Sequence, residues 1–271
     1  MTTLPKTTNL LLEQQGPWLT IWLNRPDCRN ALSKEMLNEM IKVLDLVQSD
    51  KSIRGITFRG KEGVFCAGGD IKGFKKIATA GNKAQDYAKE MSCEAGLFFQ
   101  KINNCHQITV AVVEGAAIAG GLGLACATDF VILKNDVKLA LTEILIGLSP
   151  AQIAPYIIQK IGIPQAKKLM LLATPLTAEE AKDIGLADFL VTDDKQITAT
   201  LDEIRNRVLR AGPNAVTVTK NIINASQSMD HGQLINTAAE MFADLLVSTE
   251  GKEGFNSFLE KRKPNWAKES E

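Results

Sequence analysis

The sequence predicts an α/β fold, a right-handed stack of strand–strand–helix turns followed by a helical layer. Three observations carry this. Short apolar and β-branched runs recur over about the first 190 residues, each leading into a loop or a helical period. Two glycine-rich loops each follow directly on a strand. From about residue 196 onward every periodic segment is helical.

The elements follow in order. "WLTIWLN" (18–24) alternates and is rich in aromatic and β-branched residues, as a strand is. After the turn-rich "NRPDCRNALS", Ser33 suits an N-cap, and apolar positions at 36, 37, 40, 41, 43, 44 and 47 keep a helical period. Met36 and Met40 belong to that core stripe. "IRGITFRG" (53–60) is a second strand, and "KEGVFCAGGDIKGF" a glycine-bearing loop entering a helix. "TAGNKAQDYAKEM" opens with small polar residues that suit a mobile segment ahead of a helix over about 84–102. "ITVAVVEG" (108–115) reads as a buried strand running into "GAAIAGGLGLACATD". "DFVILK" (129–134) and "VKLAL" (137–141) are short strands. "PQAKKLMLLA" is helical, and Thr177 with Glu180 fits a capping box. The organisation expected is a spiral core over 1–195 and a helical region over 196–271.

Composition narrows the function. The chain has 271 residues, 45% hydrophobic and 23% charged, ordinary values for a globular protein. Thirty-one basic residues balance 31 acidic ones, so no overall charge draws it to nucleic acid or membrane, and an anion site must be a local patch. The odd number of cysteines (28, 66, 93, 105 and 126), with no CxxC pair, argues against a disulfide scaffold or a zinc site. Cys66 and Cys126 sit in apolar runs as small core residues. "MTTLPKTTNLLLEQ" lacks a signal pattern, and no apolar run approaches the roughly 20 residues of a membrane span, so a reducing, cytoplasmic setting is expected.

The glycines raise the chemical question. An interior helical glycine costs roughly 1 kcal/mol relative to alanine, yet positions 115, 120, 121 and 123 are all glycine. The loop "FCAGGDIK" (65–72) is a second such stretch. Bare glycine backbone permits close approach, and two such loops brought together can aim two N–H groups at one oxygen, an oxyanion hole suited to an enolate. Tight turns where helices cross strands fit the spacing equally well. No glycine–lysine–serine/threonine or GxGxxG pattern supports a nucleotide loop.

Glu143 lies between a strand and an apolar turn. A carboxyl in dry surroundings has a raised pKa and can pass a proton either way near neutrality. Taken alone, the position suits a capping or ion-paired glutamate better. His106 and His231 lack metal-ligand spacing, and a structural or surface role is expected for both. Asp70 suits a helix cap and Asp129 a structural role.

Together, "LNRPDCRNALS", "FCAGGDIK", "VEGAAIAGGLGLACATDF", "TEILIGLSP" and the segment around "GLADFLV" resemble the crotonase family, the enoyl-CoA hydratases and isomerases, over roughly residues 10–265. The resemblance implies a ββα spiral with a C-terminal helical trimerisation region, assembled as a homotrimer or dimer of trimers. It implies an acyl-CoA thioester substrate, coenzyme A being part of that substrate, and no separate cofactor or metal. It places the oxyanion N–H groups on Gly69 and Gly120, and the acid/base on Glu143. It lays Arg29, Asn30, Ala31, Gly69, Asp70, Ile71 and Lys72 along the coenzyme, with Arg29 as a phosphate contact. Lys72, Lys261 and Lys263 could add positive charge there, although for the last two a solvated surface position fits better.

One position departs from the pattern. Family hydratases carry a second glutamate three residues after the second oxyanion glycine, and here that position is Gly123. A Δ3,Δ2-enoyl-CoA isomerase needs only one base, and a non-catalytic acyl-CoA binder needs none. A finer resemblance, in "GGLGL…TEILIGLSPAQIAPYIIQKIG" and "FLEKRKPNWA", is to bacterial hydratases of the methylglutaconyl- and isohexenylglutaconyl-CoA type. On that reading "PAQIAP" reshapes the wall near Glu143, and a distal carboxylate of the substrate could fill the space left by Gly123 or help to order the water.

Overall fold

Two hydrogen-bonded ladders organise the chain in the computed structural model, which describes residues 3–267. The first two residues of the N-terminal stretch and the last four of the C-terminal region lie outside the described residues. The first ladder begins as a hairpin. β1 (Leu10–Gln15) pairs antiparallel with β2 (Trp18–Leu23), and Gly16 takes the turn at φ 54°. Ser33 then caps α1 (Lys34–Gln48), accepting from the Met36 N–H at 3.2 Å, and the helix buries Met36, Met40, Val43, Leu44 and Val47. The next turn runs through β3 (Gly55–Gly60), α2 (Ile71–Ala78) and α3 (Ala84–Asn103).

The chain continues through β4 (Ile108–Val113), β5 (Ala116–Ile118) and α4 (Gly120–Cys126). Then come β6 (Phe130–Lys134), β7 (Lys138–Ala140), α5 (Ala154–Leu172), α6 (Ala178–Asp183) and β8 (Phe189–Val191). Four helices close the described chain: α7 (Asp194–Arg210), α8 (Pro213–Ala225), α9 (His231–Val247) and α10 (Thr249–Leu259). The expected capping box on α6 is present, with Thr177 and Glu180 bonding reciprocally. α5 starts earlier than the expected "PQAKKLMLLA" helix and carries a break, where Gly162 leaves the helical region at φ 69° just ahead of Pro164.

The six-stranded sheet has the order β1-β2-β3-β4-β6-β8, parallel after the hairpin. Parallel strands covered on both faces read as continuous apolar runs, as "ITVAVV" does. On one face Ile56, Phe58, Ala111, Val113 and Leu133 join the main core with α1, α3 and α5. On the other, Trp18, Val110, Val112 and Ile132 pack against Ile197, Leu201, Ile204 and Val208 of α7. The first helix of the C-terminal region thus covers the sheet itself rather than standing apart from it. Each such aliphatic side chain, fully buried, contributes about 1.5–3 kcal/mol relative to exposure.

The second ladder is minimal, and it positions the site. β5 pairs parallel with β7, Cys66 bridges to Ala117, Leu32 bridges to Gly69, and Leu139 bridges to Leu176. Each turn of the spiral contributes a strand to the large sheet, a short segment to this ladder, and then a helix. Groups far apart in sequence therefore leave the second ladder side by side. Asp129 ties the last helical layer down, its Oδ2 accepting from the Thr109 N–H at 2.7 Å and from Lys220 Nζ at 2.7 Å. That is the structural role expected of it.

Candidate active site

The two glycine loops meet at the end of the second ladder. Leu32 N–H donates to the Gly68 carbonyl at 2.7 Å, and Asp70 N–H donates to the Leu32 carbonyl at 3.0 Å. In such a bridge the intervening residue turns its own N–H the other way, so the Gly69 N–H faces away from residue 32. Gly120 opens α4, where the first-turn N–H groups have no carbonyl behind them in the helix. Among the described residues neither amide has an acceptor. A Cβ on Gly120 would stand 3.9 Å from the Gly69 nitrogen, and a Cβ on Gly68 would stand 3.5 Å from the Gly120 nitrogen. Two unpaired donors thus lie close together, Gly69 exposed and Gly120 half-buried.

Strain and close packing hold Gly120 in place. Ala119 sits at φ 51°, ψ −122°, and its N–H donates to the Ala140 carbonyl at 2.8 Å. A non-glycine residue held there costs on the order of 1–3 kcal/mol. Gly121 lets the helix cross the neighbouring loop, since a Cβ there would meet the Cys66 carbonyl at 2.3 Å. Cys66 and Cys126 are core residues, as expected, and burial pushes both thiols up to about 12.

Glu143 follows β7, just beyond the Ala140 that anchors Ala119. Its Oε2 is buried and has no hydrogen-bond partner, and among the described residues the carboxylate makes no ion pair. Burial pushes its carboxyl above the usual glutamate range, and nearby backbone N–H groups offset this only in part. A buried carboxylate oxygen without a partner costs stability.

Gly123 requires a correction. It leaves no space for a substrate group or a water: it is buried, and a Cβ there would lie 2.2 Å from Ile153 Cγ2. Ile153, itself 4% exposed, fills the direction a side chain at 123 would take. The segment "PAQIAP" thus supplies an apolar plug, and Gly123 is a packing position rather than a substrate contact.

The remaining positions expected along the coenzyme lie on the loop before α1 and at the start of α2. Arg29 is exposed at φ 52°, Ala31 is buried, and Ile71 and Lys72 are exposed at the start of α2. Asp70 caps α2, accepting from the Lys72 N–H at 2.9 Å. Asn30 is fully buried and donates to the carbonyls of Lys61 and Val64, which gives it a structural part in shaping the loop. Lys261 and Lys263 belong to the segment after α10. His106 is held by Gln48, and His231 begins α9. Sequence reasoning missed Arg25 and Ile153, whose partners, Asp70 and Gly123, come from other turns of the spiral.

A ββα spiral of this kind, with two free glycine amides brought together near a half-buried glutamate, defines a class: an α/β fold built of strand–strand–helix turns. The chain belongs to the enoyl-CoA hydratase/isomerase family, whose model matches residues 13–269. It is an enzyme of that family, whose substrates are enoyl-CoA thioesters. The solved structure of Pseudomonas aeruginosa AtuE is similar, with 40% identity, a TM-score of 0.91, and coverage of 96% of this chain and 100% of that one. Enoyl-CoA hydratase EchA19 of Mycobacterium tuberculosis is 31% identical over 98% of this chain and 99% of its own length. The mitochondrial methylglutaconyl-CoA hydratase of Mus musculus is 30% identical over 94% of this chain and 81% of its own. Among the described residues no helix is long and apolar enough to cross a membrane.

Proposed function

We propose that this enzyme adds water to a 2-enoyl-CoA thioester with a branched or carboxylated acyl group, using Glu143 as its single acid/base. The carrying observation is the buried, unpartnered Glu143 Oε2 on the turn that follows the Gly120 anchor. The Glu143 carboxylate takes a proton from water as the oxygen bonds to Cβ. The C=C electron pair moves toward the thioester, whose oxygen gains charge between the Gly69 and Gly120 N–H groups. Protonated Glu143 then returns the proton to Cα, and the net change is one water added. Arg29, Ala31, Asp70, Ile71 and Lys72 line the coenzyme. The substrate class is supported by the named activity of the Mus musculus relative. No separate cofactor takes part. The exposed Phe242, Leu246, Phe255 and Phe258 of the last helices support self-association, which on this reading is a homotrimer or dimer of trimers; the setting proposed is the cytoplasm.

A second reading is Δ3,Δ2-enoyl-CoA isomerisation, in which Glu143 carries a proton between Cα and Cγ without water. The apolar Ile153 beside Gly123 favours it. Turnover of crotonyl-, 3-enoyl- and 3-methylglutaconyl-CoA, with product masses, separates the readings. Hydration adds the mass of water and removes the conjugated thioester absorbance, whereas isomerisation into conjugation leaves the mass unchanged and raises it. Glu143→Gln should lower either activity by roughly 10²–10⁴-fold.

A further inference from the structure

We infer that Arg25 is a positioning residue for the thioester oxyanion, acting through the backbone that aims the Gly69 N–H. The argument rests on the oxyanion reading of Gly69 and Gly120. The Arg25 guanidinium spans the bridge between Leu32 and Gly69. One nitrogen donates to the Ala31 carbonyl at 2.6 Å, and the other donates to Asp70 Oδ2 at 2.8 Å. Ala31 immediately precedes one side of that bridge, and Asp70 immediately follows the other. The guanidinium therefore clamps the two loops on the Gly69 side, beyond the backbone bonds that already join them: Ala67 to Arg29, Leu32 to Gly68 and Asp70 to Leu32.

The clamp is built for rigidity. The Arg25 and Asp70 side chains are 18% and 13% exposed, so the pair is shielded more than a surface ion pair. Burial pushes the Asp70 carboxyl up, but the Lys72 N–H and Arg25 together hold it below the usual carboxylate range. Asp70 is thereby kept ionised while its Oδ1 caps α2. At the other end, the Arg25 N–H donates to Asn30 Oδ1 at 2.8 Å, and the Asn30 N–H returns to the Arg25 carbonyl at 2.9 Å. Arg25 itself need not touch the substrate. Its effect is to fix the register of residues 31–32 against 68–70, and with it the direction of one oxyanion donor.

The test reads the donor directly. Acetoacetyl-CoA is a 1,3-dicarbonyl thioester whose enolate absorbs in the near ultraviolet, and an oxyanion hole lowers the pH at which the bound molecule ionises. In the native protein that midpoint should fall below that of free acetoacetyl-CoA. Arg25→Met should move it back toward the free value and lower kcat by roughly 10–100-fold at little change in KM, as for a donor displaced by a fraction of an ångström. Arg25→Lys, which cannot reach both acceptors at once, should recover part of both effects. Asp70→Asn keeps an oxygen for the α2 cap but breaks the charge pair, and its kcat loss should not add to that of Arg25→Met. A folded Arg25→Met protein with native kcat and a native enolate midpoint overturns the inference. Should that variant not fold, native values in both Arg25→Lys and Asp70→Asn overturn it equally. A native protein that does not shift the enolate midpoint overturns the oxyanion reading itself.

Discussion

The two glycine loops offer matching amide donors but are held by different physics. The Gly69 arm is exposed and secured by polar ties: the Arg25–Asp70 pair, the Asp70 cap, and two backbone bonds to Leu32. The Gly120 arm has backbone bonds too, from Ala119 to Ala140 and from Ile118 to Cys66, but no side-chain ion pair among the described residues, and close packing fixes its glycines. Gly121 presses on the Cys66 carbonyl, Gly123 on Ile153, and Ala119 holds a strained turn between β5 and α4. Polar ties can be loosened one at a time with graded effect. A packed crossing tolerates almost nothing, because protein interiors have no slack volume.

The largest effect is expected at Gly121. Gly121→Val would drive a side chain into the backbone oxygen of Cys66, which cannot swing aside. A loss of more than about 4 kcal/mol is expected, read as failure to recover folded protein. A soluble, native-like Gly121→Val enzyme would erase the contrast between the arms. Gly123→Ala meets a side chain rather than backbone, so about 1–3 kcal/mol is expected. Chemical denaturation should show much of that loss returned when Ile153→Ala is added.

A smaller, pH-dependent effect belongs to Glu143. Its folded-state pKa is raised, so between its unfolded and folded values the native state holds more protons and stability falls as pH rises. Glu143→Gln should therefore melt at a higher temperature than the native protein at neutral pH, with the difference vanishing in acid. The proposed base role requires Glu143 ionised, so on that mechanism the acid limb of kcat/KM should lie above the ordinary glutamate range and disappear in that variant. The smallest effect is expected at Gly69→Ala. Its Cβ would stand 3.1 Å from the ring of Phe74, an exposed side chain able to move. A stability change within about 0.5 kcal/mol in a thermal melt is expected, and a large loss would show that the exposed arm is packed as tightly as its partner.

What could be read in advance follows the range of the interactions involved. β2, β3, β4 and β6 carry their burial in their own composition, and the caps at Ser33 and Thr177 are local side-chain bonds. β1, β5 and β8 were not legible. "LLLEQQ" lacks alternation, and the other two are short segments whose pairing is imposed by neighbouring turns. The site divides the same way. Gly69, Gly120 and Glu143 are marked by motif and surroundings. Arg25 gains its meaning only from Asp70, and Gly123 only from Ile153, partners delivered by the spiral.

The second ladder also bears on when the site comes into being during folding. Its rungs join successive turns, so a chain that has stacked only its first turns holds one donor loop and nothing opposite it. The second amide arrives with β5 and α4, and Glu143 only after β7 has docked. Recovery of turnover after denaturation is thus a late clock. It should lag behind any signal from Trp18 and Trp22 in the first hairpin, because the chemistry has no partial form for an incomplete spiral to display.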